Sequence, residues 1–224
     1  MTLLNSNDAD SADHRADERI LWARAAGVLA LAAAGLYLFV VLVRLPGFVD
    51  RPLSFALGPL MALGSYAGAR ALTLQRRNLA AELGGVAGVI AGAMHNAMMV
   101  VQQTMFAFAG RAIRAAESDE AREALRTAYR ATNSVQLGLD IAWDGLIGVS
   151  TALFGVALLK WGRKSAAYGV LGVLVALAFY SNNMVTFPTP PADGGSIDLG
   201  PLAGFWFLGF GIILWFRFGR RPKS

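Results

Sequence analysis

Six apolar stretches, each close to the roughly 20 residues that cross a bilayer's hydrocarbon core as a helix, constrain this chain more than any other feature. They run over about Ile20–Val43, Pro52–Leu74, Glu82–Phe108, Val135–Leu159, Ala166–Met184 and Leu199–Phe216. Backbone groups in lipid must be hydrogen-bonded within the chain, so continuous helices are the expected form, and no alternating barrel-strand pattern is present. Composition agrees. Of 224 residues 55% are hydrophobic and 16% charged, against about 25% charged in soluble domains. The formal net charge of +5 does not imply a nucleic-acid partner, because the basic residues flank apolar runs instead of forming a patch. With no cysteine there are no disulfides, no thiol catalysis and no thiolate metal sites.

The expected fold is therefore all-α and polytopic, with six transmembrane helices. Residues 1–19 read as a flexible acidic tail without a signal peptide's basic start and cleavage site. Residues 20–217 form the membrane domain and 218–224 a basic tail. The side holding both termini carries most of the 20 Lys and Arg, among them Arg24, Arg76, Arg77, Lys160, Arg163 and Lys164. The opposite side has Arg44, Arg51, Arg111, Arg114, Arg122, Arg126 and Arg130. Positive loops stay inside, which puts both termini in the cytoplasm.

Two connections exceed what a tight turn needs. Gly110–Ser134 is charged, Ala-rich and free of proline, and should extend the third and fourth spans into an external helical hairpin. Arg122, Arg126 and Arg130 recur every four residues there, reading either as a solvated mixed-charge face or as a ridge for an anionic partner. The second connection includes a Pro- and Gly-rich loop over 185–198, expected either to cap the outer mouth or simply to link two spans.

Ionisable side chains inside a span are costly and are functional candidates by default. On the fourth span Gln136, Asp140, Asp144, Gly148, Thr151 and Gly155 share one helical face. Asp140 falls near the interface and Asp144 about a turn deeper. The third span carries a ladder of Gly84, Gly88 and Gly92 suited to close helix packing. It leads to His95 and Asn96, then to Gln102 and Gln103, with Gln102 counted about level with Asp140 and His95 several ångströms deeper than Asp144. Asn182 and Asn183 reach a similar height on the fifth span. An outward-facing polar site between spans three, four and five follows, made of His95, Asn96, Gln102, Gln103, Asp140, Asp144, Asn182 and Asn183. Interhelical hydrogen bonding is the plainer reading for the amides, and packing the plainer one for the methionines around His95.

Three functions fit these residues. The leading one moves or senses a small solute or cation, with proton linkage: Asp144 is the charged centre, His95 a deeper proton acceptor, Asp140 the entrance carboxylate, and Gln102, Gln103 and Asn183 neutral ligands. The first alternative is a metal-dependent intramembrane hydrolase on His95, Asp140 and Asp144, although no H-E-x-x-H signature is present. The second is a scaffold or accessory subunit. No catalytic residue or cofactor is assigned, the lipid bilayer is the one definite partner, and an oligomer is compatible with the sequence. Phosphate-cradling glycine loops are absent. A bis-histidine haem is excluded because the second histidine, His14, lies in the tail. No G-x-S-x-G elbow supports a serine triad, and no 3+3 repeat is evident.

LGLDIAWDGLIGVSTALFG and TFPTPPADGGSIDLGPLAGFW, about a fifth of the chain together, resemble stretches of uncharacterised bacterial multi-spanning inner-membrane proteins. The resemblance implies a bacterial inner-membrane setting, carries no activity, and draws attention to Asp140, Trp143, Asp144 and Asp198.

Overall fold

A computed structural model describes the backbone of residues 6–220 and the side chains of residues 14–220. The first five residues of the expected tail and the last four of the basic one lie outside the described residues. Six helices follow one another: α1 (Ser6–Leu42), α2 (Gly47–Gln75), α3 (Leu79–Ala115), α4 (Asp119–Leu158), α5 (Gly162–Thr186) and α6 (Gly200–Ile213), the last continued by a π-helical turn, Leu214–Phe218. No strand occurs among the described residues. Five of the helices are long and apolar enough to cross a membrane; α2 is the one that falls short. It is nevertheless 29 residues long, carries Pro52 and Pro59 in its interior, and packs between α1 and α3. Each helix packs on the next and α6 returns to α1, so the six close into a ring.

The acidic stretch before the first span, expected as a flexible tail, is helical from Ser6 onward and runs into α1. No Gly or Pro interrupts residues 6–26, so nothing in the local chemistry ends the helix there. Glu18 reaches Arg70 of α2 at 3.6 Å, and the Arg70 guanidinium lies 5.8 Å from the Trp22 ring. These contacts tie the Glu18–Trp22 stretch of α1 to α2.

Large and small residues are distributed as lipid demands. Buried positions on α1 are Ala23, Ala26, Gly27, Ala30, Ala33 and Ala34, with Leu38 the one large residue among them, whereas Val28, Phe39 and Leu42 face outward. The same holds on α3 and α5, where Leu83, Val86, Leu174 and Leu177 are exposed and glycines are buried. Apolar surface gains nothing by leaving lipid, so close packing of small residues holds the helices together. A side chain at Gly155 would meet the Gly169 carbonyl oxygen at 2.6 Å, which places the α4 and α5 backbones in direct contact. The α3 ladder works between two neighbours: Gly84 abuts Phe154 of α4, Gly88 abuts Ser65 and Ser150, and Gly92 abuts Ala62 of α2.

The connection between α3 and α4 is a three-residue turn between long helices. Ser118 caps α4 by accepting from the Ala121 amide at 3.1 Å. Phe106 stacks on Tyr129 across the two helices. Arg122 pairs with Asp119, and Glu123 pairs with both Arg126 and Arg130. The arginine ridge is thus a mixed-charge face whose positive groups meet carboxylates on the same helix.

Candidate functional site

The site lies at the end of the bundle that carries the 187–198 loop. Here the C-terminal turns of α1 and α5, the middle of α4 and the first turns of α6 converge. Asp144 of α4 is only 8% exposed and forms part of the wall of a cavity of about 50 Å³. Ala33 and Tyr37 of α1, Leu57 and Met61 of α2, Phe179 of α5, and Gly204 and Phe207 of α6 line the same space. On α1 and α6 the wall is made largely of small residues, among them Ala30, Ala34, Gly200 and Ala203.

Around Asp144 the groups are acidic or neutral. Asp140 and Asp198 act on it electrostatically, and the Asn183 amide stands within reach of its carboxyl. Asp193 and Asp198 likewise bear on Asp140. Asp198 accepts from the Gly200 amide at 2.7 Å, capping α6, and a side chain at Gly200 would collide with both Asp198 and the Tyr37 hydroxyl. Tyr37 and Asp198 therefore sit together at the start of α6. Asp144 makes no ion pair among the described residues.

Trp143 occupies the position beside Asp144. Its ring meets Tyr37 edge-on at 6.1 Å and His95 edge-on at 5.0 Å. His95, 4% exposed, therefore stands level with the Trp143–Asp144 step, not several ångströms deeper as the residue count suggests. The count assumes that α3 and α4 enter the membrane at the same height. Their contacts at Gly84–Phe154, His95–Trp143 and Phe106–Tyr129 set a different register. That register also moves Gln102 opposite Gln136, about a turn beyond Asp140.

The eight residues expected to share one pocket are divided by the structure. Asp144 and Asn183 are together, with Asp140 nearby. His95 packs on Trp143, the residue beside Asp144. Asn96 turns toward α2, where its side chain covers Gly58. Gln102 and Gln103 are half-buried and lie off the cavity wall. Asn182 fastens the loop instead, donating to the Ile197 carbonyl at 2.7 Å and accepting from the Ser196 hydroxyl at 2.9 Å. The expected wall also changes: α3 contributes nothing to the cavity, and α1, α2 and α6 take its place beside α4 and α5. Among the described residues no group of three His, Asp or Glu could hold a metal ion. The trio His95, Asp140 and Asp144 is not brought together as such a group.

Several buried polar atoms here have no hydrogen-bond partner: His95 Nδ1, Asn96 Oδ1, Trp143 Nε1 and Asn183 Oδ1. Asn183 is 1% exposed, and its Nδ2 donates to the Phe179 carbonyl at 3.1 Å. Buried polar atoms are nearly always paired, so a group of orphans marks a place where the fold is not optimised for its own stability. Sequence reading missed Tyr37 altogether and found Asp198 only through the resemblance. A hydroxyl within the otherwise apolar LAAAGLYLFVVL was the available signal for Tyr37.

No protein-family model, curated protein or solved structure matches this chain. The resemblance of the α4 and loop segments gains no support from these comparisons. What the helices define is a polytopic helical membrane protein.

Proposed function

We propose that this protein binds a small cation or cationic solute in the cavity beside Asp144 and moves or senses it across a bacterial inner membrane, with both termini in the cytoplasm. The observation that carries this reading is a carboxylate nine-tenths buried on a cavity wall, facing other carboxylates and no basic partner. A charge buried within a membrane protein needs a partner, a proton or water. Neighbouring Asp140 and Asp198, with Asp193 acting in turn on Asp140, raise the demand for positive charge instead of meeting it. A bound cation meets it, and a proton can stand in for that cation, which is the basis for proton linkage. The loop held by Asn182 brings two of these carboxylates over the end of the bundle, where their field concentrates cations near the site.

Thermal unfolding in lipid nanodiscs, with alkali, alkaline-earth and organic ammonium salts compared at constant ionic strength, tests the reading. A ligand at a hundred times its Kd stabilises the native state by about 2.7 kcal/mol, a shift of several degrees. At least one cation class should raise the midpoint of the native chain, and Asp144→Asn should remove that response. Equal midpoints in every salt would overturn the proposal.

A further inference from the structure

The walls around Asp144 say which kind of cation fits. Metal ions such as calcium take six to eight oxygen ligands, and this cavity offers few. Its oxygens come from Asp144 and Tyr37, because the Ser65 hydroxyl is turned to α3 and α4 beside Gly88 and Ser150. The remaining wall is aliphatic or aromatic, with Trp143, Phe179 and Phe207 among the lining side chains. A hydrated ion would lose its water there and gain almost no replacement.

An organic ammonium ion has the opposite needs. It carries one positive charge that a single carboxylate can neutralise, and alkyl groups that favour apolar and aromatic surroundings. Aromatic rings add attraction for such a cation, most strongly where water is excluded. The size agrees as well. A cavity of about 50 Å³ is several times the roughly 10–15 Å³ that admits one water, which suits a small ion such as tetramethylammonium, whose methyl groups are each about water-sized. Trp143 is kept in place for this role by Tyr37 on one side and His95 on the other, which makes His95 a positioning residue.

Resting on the cation site proposed above, we infer that its ligand is a small organic ammonium ion, neutralised by Asp144 and enclosed by the aromatic side chains of Tyr37, Trp143, Phe179 and Phe207. Calorimetry on the native chain in lipid nanodiscs, with tetramethylammonium, potassium and magnesium chlorides compared at one ionic strength, tests it. Tetramethylammonium should bind at least tenfold more tightly than either metal ion. Asp144→Asn, which removes the charge, and Ala34→Leu, which fills the cavity from α1 and keeps the charge, should each weaken that binding at least tenfold. Binding of potassium or magnesium without tetramethylammonium overturns this inference and leaves the cation site standing. Binding of no cation overturns both. Tetramethylammonium affinity that survives both substitutions also overturns the inference, since the ion then sits elsewhere. The comparison among salts needs only the native chain and stands even if a variant does not fold.

Discussion

At Gly92, α3 comes so close to α2 that an added Cβ would stand 2.9 Å from the Ala62 amide nitrogen and 3.0 Å from its Cβ. Backbone cannot step aside as a flexible side chain can, so Gly92→Ala must separate the two helices. Overpacking of this kind costs about 1–3 kcal/mol. Gly145, on α4, has nothing within 4 Å of the same hypothetical atom, and there alanine gains up to about 1 kcal/mol of helix propensity. Unfolding midpoints in one detergent should therefore fall for Gly92→Ala and hold or rise for Gly145→Ala; matching changes would refute the packing argument. The four-residue spacing of the α3 glycines was readable beforehand. That Gly84 would meet α4 while Gly92 met α2 was not, because spacing identifies a face and says nothing about its neighbour. Asp144 was likewise legible as a carboxylate in an apolar run, whereas the aromatic contact of His95 depends on the register between two helices.

Among the elements, the turn between α2 and α3 is the most economical piece of construction. Asn78 accepts from the Ala81 amide at 3.3 Å, capping α3, and donates to the Ala157 carbonyl near the end of α4 at 3.1 Å. One buried side chain thus closes one helix and anchors another. Losing a cap costs about 0.5–2 kcal/mol, and leaving the Ala157 carbonyl unpaired adds to it. Asn78→Ala should lower stability by about 1–3 kcal/mol on those grounds. Arg126→Ala, in the exposed ridge of α4, should change it by less than about 1 kcal/mol, as exposed ion pairs do. Chemical denaturation of both variants checks the contrast, and a larger loss at Arg126 would show that the α3–α4 extension has a structural role missing from this account. Helical propensity and charge spacing announced that extension in the sequence. The dual role of Asn78 stayed hidden, since its second partner lies 79 residues away.

For the whole molecule, the ring of helices places the α3–α4 turn and the 187–198 loop at one end and the α2–α3 and α4–α5 turns at the other. The absence of cysteine makes single-cysteine labelling clean. If both termini lie in the cytoplasm, as proposed, Glu117→Cys and Asp193→Cys should react with a membrane-impermeant maleimide in intact cells. Arg77→Cys and Lys164→Cys should react only after permeabilisation. Reversed labelling would overturn the orientation, and labelling of Glu117→Cys and Asp193→Cys from different sides would contradict six crossings. All-helical architecture, the number of helices, the long α3–α4 extension and the placing of Asp144 within an apolar span follow from the sequence alone. Hydrophobic length, charge placement and helical period are local properties, and each is written within a few turns. The tertiary structure decided what stands around Asp144: Tyr37, Phe207 and Gly204 in place of Gln102 and Gln103, with His95 behind Trp143. Those choices depend on where alanines and glycines let backbones approach, and on how far one helix slides along the next. Both are settled by contacts between residues distant in the chain, which no local pattern contains.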